Sequence, residues 1–394
     1  MPVNLLQQTK PITYAIDAWS ASQAEKTGVE MYAFELIQAM KQRALSQNER
    51  VVLYTPVKLT GPLAELPTGW EEKVISWKTK EKGGWPVGWM QGRMSVELAL
   101  NPPSVFFVPS QGLSRRAMFR QYPIVTTIHD LGFLRMPDLY DSSSRRQLES
   151  ITKRSVHGAE KLLTVSEFSK SELIDLLHVP PERITVTPLS ADTSVFKRLP
   201  QTDIESVLAK YRLGHNFFLF VGRMDKKKNV ETVIRAFEEF KTGRGVGDPF
   251  ELVLVGGPGY GYDFMEKMIM LLPHKSDLRV LGYIPDADVA ALMNVATAFL
   301  FPSWYEGFGI PNLEAFACGT ALITSDIPAH HEVCGSAALF VPPENPSAWV
   351  RAMRQLVDNA ELKQQLIQAG SARVIQFSWD KTAEKTWEVL RNVV

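Results

Sequence analysis

Three observations in the sequence predict an α/β protein built from two doubly wound, mostly parallel-sheet domains. Short apolar, β-branched runs alternate with amphipathic helical stretches along most of the 394 residues, the pattern of parallel strands joined by helical crossovers. The pattern restarts after Thr-Ser-Val-Phe-Lys-Arg-Leu-Pro at 193–200, and the length suits two domains that each bury a core. The composition is globular, 45% hydrophobic and 22% charged, with no signature of disorder.

In chain order, strands are expected at 12–16, 51–54, 104–108, 124–128 and 161–165, with helices at 29–43 and 145–157. A second strand set is expected at 217–221, 251–255, 277–281 and 298–301, with helices at 230–241 and 287–295. The junction falls near Phe196, which divides the chain into 1–195, 196–375 and a tail at 376–394. Doubly wound sheets hold ligands beyond the carboxyl ends of their strands, so two such domains facing each other would place a site in the cleft between them.

The stretch 70–93 is compositionally odd, with Trp70, Trp77, Trp85 and Trp89 among Lys73, Lys78, Lys80, Lys82 and Arg93. Aromatic and basic residues together can mark an interfacial surface, so peripheral contact with a membrane is one reading. A loop folded over its own domain is the other.

Charge and cysteine content narrow the function. Lysine plus arginine equals aspartate plus glutamate, 43 each, so bulk electrostatics do not favour nucleic acid as a partner. Two cysteines, Cys318 and Cys334, cannot build a disulfide framework and suit a reducing compartment. The first ten residues lack the pattern of a secretory signal, and no run of about 18 apolar residues is present. The expected place is the cytoplasm, with the inner face of the cell membrane open as a peripheral location.

The most informative stretch is 301–314, Phe-Pro-Ser-Trp-Tyr-Glu-Gly-Phe-Gly-Ile-Pro-Asn-Leu-Glu. An apolar strand ends at Pro302, a loop with two glycines follows, and Pro311 suits the first turn of a helix. Glycines let backbone N–H donors approach a ligand closely near a helix N-terminus. Glu306 and Glu314 would present two carboxylates able to accept hydrogen bonds from sugar and ribose hydroxyls. The plainer alternative makes Glu314 a helix-start carboxylate and Glu306 a surface residue.

This stretch resembles the Glu, seven residues, Glu motif of family 4 retaining glycosyltransferases, with its intervening Gly307–Phe308–Gly309 and the following Cys318–Gly319–Thr320. The resemblance implies the GT-B fold of two Rossmann-like domains, and its other landmarks appear in order along nearly the whole chain. At 220–229, Phe-Val-Gly-Arg-Met-Asp-Lys-Lys-Lys-Asn, the family pattern sets Arg223 and Lys228 on the donor diphosphate beside Gly222. Arginine offers a rigid fork to phosphate oxygens and lysine a compact point charge. Lys226 and Lys227 read as additional, solvated charge.

At 126–131, Thr-Thr-Ile-His-Asp-Leu, the family pattern lays His129 against the donor sugar, with Asp130 orienting it or meeting the acceptor. Gly28, between Thr27 and Val29, matches a glycine whose backbone approaches the diphosphate or acceptor, although relatives often show two glycines there. Ser166, in Thr-Val-Ser-Glu-Phe-Ser at 164–169, matches a signature and reads equally well as an acceptor contact or a helix cap. The loop of Tyr283 and Ile284 resembles the one that receives the nucleobase, and Leu313 completes the donor-side set.

Three lookalikes carry less. Asp286–Ala287–Asp288 reads as a helix start rather than a metal motif. The glycine-rich stretch at 256–261 lacks the Lys-Ser/Thr of a nucleotide-hydrolase loop. His330–His331–Glu332 has no convergent third ligand, so no metal site is expected.

The resemblance implies transfer of a hexose, mannose favoured, from a nucleotide-diphosphate donor to a glycan or lipid-linked hydroxyl, with retention and without a metal or other cofactor. GDP-mannose is the favoured donor, with a UDP-sugar behind it. The alternatives are a nucleotide-sugar epimerase of the same fold and a silent nucleotide-sugar-binding subunit.

Overall fold

A computed structural model describes residues 11–24, 26–76, 89–113, 121–245 and 247–394. The chain forms two compact units. The first comprises 1–129, 147–188 and 379–394, and the second comprises 130–146 and 189–378.

The first unit carries a seven-stranded sheet among the described residues, in the order β3-β2-β1-β4-β5-β6-β7. Its strands are β1 (Ile12–Asp17), β2 (Glu49–Thr55), β3 (Trp70–Val74), β4 (Val105–Val108), β5 (Ile124–Ile128), β6 (Lys161–Thr164) and β7 (Ile184–Val186). Every neighbouring pair is parallel. All four residues of β4 and all five of β5 are buried, as expected where helices cover both faces of a parallel sheet. The order reverses between β1 and β4, so the ligand-holding crevice of this topology lies at the ends of those two strands.

The 70–93 stretch departs from a simple loop. Residues 70–74 form the edge strand β3, and Trp70 is buried with its ring 6.3 Å from that of Trp387. Trp89 is also buried, its indole N–H donating to the Ile75 carbonyl at 2.8 Å. These two tryptophans are core residues and unavailable to a membrane. Trp77, Trp85, Lys78, Lys80 and Lys82 lie outside the described residues.

Among the described residues the second unit repeats the topology with six strands, β10-β9-β8-β11-β12-β13. These are β8 (Phe217–Val221), β9 (Glu251–Val255), β10 (Leu278–Gly282), β11 (Ala298–Phe301), β12 (Leu322–Ser325) and β13 (Leu339–Val341). Its core is aromatic-rich. Phe218 meets Phe240 edge-on at 5.3 Å and stacks with Phe250 at 5.5 Å, and Trp349 is fully buried among them. Here the order reverses between β8 and β11, the two strands that lead into the stretches at 222–229 and 302–314.

The last helix, Trp379–Asn392, belongs to the first unit. Trp387 sits edge-on to Tyr14 at 5.0 Å and donates to the Met40 carbonyl, while Arg391 makes a two-pronged ion pair with Glu49 at 2.9 Å through both nitrogens. The chain passes into the second unit at Leu189, several residues before Phe196, and residues 130–146 also pack with the second unit. Truncating Trp387 to alanine should lower unfolding free energy by about 3–5 kcal/mol, the usual cost of emptying a buried tryptophan site, measured by denaturant titration against the wild type.

Candidate active site

Two loops at the β8/β11 switch point build the site of the second unit. The first follows β8 through Gly222 and Arg223 into a short turn, Lys226–Lys228, capped by Asp225, whose carboxylate accepts the Lys228 backbone N–H at 3.1 Å. Asn229 then adopts φ 53° and anchors the start of helix Val230–Thr242 by donating through its side chain to the Pro302 and Pro343 carbonyls.

The glycine-rich turn at 256–261 buttresses this loop. The Met224 N–H donates to the Gly257 carbonyl at 2.9 Å, and the Lys226 N–H to the Tyr260 carbonyl at 2.9 Å. Gly256 has φ 133°, and a Cβ there would lie 2.0 Å from the Gly222 carbonyl oxygen. Only glycine allows this approach.

The second loop runs from Pro302 to Gly309, which holds φ 97° and caps helix Ile310–Cys318. A Cβ on Gly309 would come within 3.0 Å of the Asn312 amide and 3.3 Å of the His330 ring. Gly309, the second glycine of the Gly-x-Gly stretch, therefore answers a local demand of the backbone.

The two loops meet through charge. Glu306 is buried, and its Oε1 lies 2.6 Å from Lys228 Nζ. Burial alone would raise its pKa, but Lys228 and Lys227 outweigh it and hold the carboxyl down at about 2. It is therefore a carboxylate at any working pH.

Lys227 corrects the expectation of a solvated charge. Its side chain is only 17% exposed, with Nζ 3.2 Å from Asp130 Oδ2 and 3.8 Å from Glu306 Oε2. Lys226 points outward over the Tyr260 ring, as expected of a solvated lysine. Arg223 has its side chain 64% exposed, its nearest carboxylate being that of Asp225 at 3.7 Å, so its fork is open to an anion.

Glu314 behaves in the opposite way to Glu306. Burial, then the neighbouring charges of Asp286 and Asp192, raise its pKa to about 8, with Lys228 only partly offsetting them. A carboxyl carrying its proton near neutral pH can donate as well as accept, which suits a vicinal diol. Leu313 beside it is fully buried. At the end of β10, Tyr283 is 73% exposed whereas Ile284 is buried. Phe308 is buried against Phe377, edge-on at 5.7 Å, so its contribution to any ligand contact would come through its backbone.

In the first unit, His129 directly follows β5. Its Nε2 lies 3.0 Å from the Pro109 carbonyl, and its ring meets Tyr32 edge-on at 4.7 Å. A carbonyl can only accept, so Nε2 carries a proton in this contact. Asp130, the next residue, is engaged by Lys227 and by the Gly132 N–H at 3.1 Å. Ser166 is fully buried and caps helix Glu167–Leu177, accepting from the Ser169 N–H at 2.9 Å. Gly28 opens helix Gly28–Lys41, and a Cβ there would meet nothing within 4 Å.

Sequence reasoning passed over two largely sequestered ionisable groups, among others in the core. Asp17 ends β1, and burial raises its carboxyl to about 7; no motif flags it. Lys227 is concealed by its place in a lysine run. The lookalikes resolve locally. Asp288 pairs with Lys210 at 2.6 Å, and His330 and His331 diverge, one bonded to Thr324 and the other to Asp326. Among the described residues no cluster of three or more metal-ligating side chains occurs, and no helix is long and apolar enough to cross a membrane.

The two doubly wound parallel sheets match the fold of the GT-B glycosyltransferases. Sucrose-phosphate synthase from Thermosynechococcus elongatus superposes at a TM-score of 0.75 and 18% identity, over 97% of this chain and 98% of its own. Anabaena HepE in complex with UDP-glucose gives 0.73 at 15% identity, over 96% and 99%. At these identities the likeness concerns the fold. In sequence, the Glycosyltransferase Family 4 profile matches residues 26–195 and the Glycosyl transferases group 1 profile matches 203–373. The O-antigen chain mannosyltransferase B of Escherichia coli is 32% identical over 263 residues, 66% of this chain and 68% of that protein. The chain belongs to the family 4 glycosyltransferases.

A pH dependence follows from Glu314, which faces Asp286, Asp192, Lys228 and Cys318. Folded, it binds its proton more tightly than at its ordinary value of 4.5, so its contribution to stability falls as pH rises from about 4.5 through about 8. Glu314→Gln should therefore melt higher than the wild type at pH 8, by roughly 2–4 °C per kcal/mol of relieved penalty. The gap should close toward pH 4.5, as read by calorimetry across that range.

Proposed function

We propose that this glycosyltransferase moves a hexose, mannose by preference, from a nucleotide-diphosphate sugar to a hydroxyl of a glycan or lipid-linked acceptor, with retention of anomeric configuration. The observation that carries the reading is the second unit's switch point, where Lys228 meets the buried carboxylate of Glu306 between the loops after β8 and β11, with the exposed Arg223 on the same β8 loop. Arg223 and Lys228 would neutralise the charge that grows on the departing diphosphate, a stabilisation that acts most strongly in the transition state. With these two cations supplying the countercharge, the reaction needs no divalent metal.

Glu314 would hold the ribose hydroxyls, and Glu306 with the Gly307–Gly309 backbone would hold the transferred sugar. The loop of Tyr283 and Ile284 would receive the base through its backbone groups. His129 is assigned to the sugar on its motif and its place at the end of β5. Mannose is preferred because of the 32% identity with an O-antigen chain mannosyltransferase, and GDP-mannose is the corresponding donor. HepE, bound to UDP-glucose, motivates a UDP-sugar as the runner-up. Polysaccharide assembly at the inner face of the cell membrane is the corresponding setting.

In a melting screen with EDTA throughout, GDP and GDP-mannose should raise the transition temperature, since specific binding stabilises by RT ln(1 + [L]/Kd). A preference for UDP and UDP-glucose would keep the transferase reading and discard mannose. No shift with any nucleotide would remove the donor site. Glu306→Gln should abolish most transfer, by on the order of a hundredfold or more, while nucleoside diphosphate still binds. Loss of nucleotide binding in that variant would contradict the sugar-side role.

A further inference from the structure

We propose that Lys227 is the standing counter-ion of Glu306, a positioning residue that keeps this carboxylate charged and oriented when Lys228 turns to the donor diphosphate. The inference rests on the diphosphate role of Lys228 proposed above. The geometry divides the two lysines between the two carboxylate oxygens: Lys228 meets Oε1 at 2.6 Å and Lys227 faces Oε2 at 3.8 Å. Both ammonium groups cannot have the same task, because a diphosphate at the switch point would compete with Glu306 for whichever cation can reach it.

Three contacts decide which lysine stays. Lys227 Nζ is nearer to Asp130, at 3.2 Å, than to Glu306, so a second carboxylate holds it in place. Its backbone carbonyl accepts the Trp304 N–H at 2.9 Å, tying the residue to the loop that carries Glu306. The buried Tyr140 hydroxyl lies close enough to Asp130, Lys227 and Glu306 to feel all three charges. Among the described residues Lys228 has no second ion pair: beyond Glu306, its ammonium rests over the Phe301 ring at 4.8 Å and feels Glu314, which keeps its proton to about neutrality and so offers little countercharge. It is the lysine that can leave.

Its departure would be costly without Lys227. A carboxylate buried without a counter-charge takes up a proton, and a protonated Glu306 presents a different hydrogen-bonding pattern to a sugar hydroxyl. With Lys227 in place, two lysines and two carboxylates start in balance. Donor binding then moves one positive charge onto the diphosphate and leaves Lys227 between Asp130 and Glu306.

Two measurements test this on the full chain. The first needs no donor: melting at pH 7.5 of Lys228→Met with and without Glu306→Gln. If Lys227 suffices as counter-charge, Glu306→Gln leaves the melting temperature of the Lys228→Met protein unchanged or lowers it. A rise of several degrees would show an uncompensated charge there and overturn the proposal. The second follows release of nucleoside diphosphate from GDP-mannose and from UDP-glucose. Lys227→Met should lower kcat by on the order of tenfold to a hundredfold with donor KM nearly unchanged, and Lys227→Arg should restore most of it. An unchanged kcat, or a loss confined to KM, also overturns the assignment. Wild-type protein that turns over neither donor would sink the functional reading instead, and the melting comparison would still decide the role of Lys227.

Discussion

A carboxylate can stay ionised inside a protein only if cations are held beside it, and that requirement organises the second unit. Glu306 is buried and ionised because Lys228 and Lys227 stand within ion-pair distance of it. The lysines reach it because the turn Lys226–Lys228 is capped by Asp225 and propped by the glycine-rich stretch behind it. That stretch can press so close only because Gly256 has no side chain. Removing any layer leaves a charge stranded in a medium that solvates it poorly.

The same sheet end produces two carboxyls of opposite character. Glu306, in the loop and flanked by ammonium groups, is locked as an anion; Glu314, on the following helix and facing Asp286 and Asp192, keeps its proton to about neutrality. Pairs of titratable groups whose surroundings push them apart are typical of sites that handle several kinds of hydroxyl. The separation comes from neighbours, since residue type and sequence motif are the same for both.

Much of this was legible in the sequence. The parallel strands, the restart near residue 200 and the two charged loops show in alternation, glycine placement and the Glu, seven residues, Glu spacing. The strands β3, β7, β12 and β13 do not: β7 and β13 are three residues long, β3 carries three charged residues in five, and β12 follows helix Ile310–Cys318 after only three residues. Trp70 cannot be told from an interfacial aromatic in the sequence, because its partner, Trp387, lies 317 residues away along the chain (387 − 70). Lys227 was obscured for a related reason: within Lys226–Lys227–Lys228 all three side chains are the same, and only the direction each takes from a single tight turn separates the solvated one from the two that face Glu306.

The helix Trp379–Asn392 has a consequence for how the protein is made. Residues 189–378 interrupt the first unit, whose sheet is sealed by that helix through Trp387 and Arg391. On the ribosome, where domains tend to fold in order of synthesis, the second unit can complete its core while the first still lacks this helix. The unit that begins first thus finishes last, and an unsealed face around Tyr14 and Met40 is what a chaperone would meet on the nascent chain.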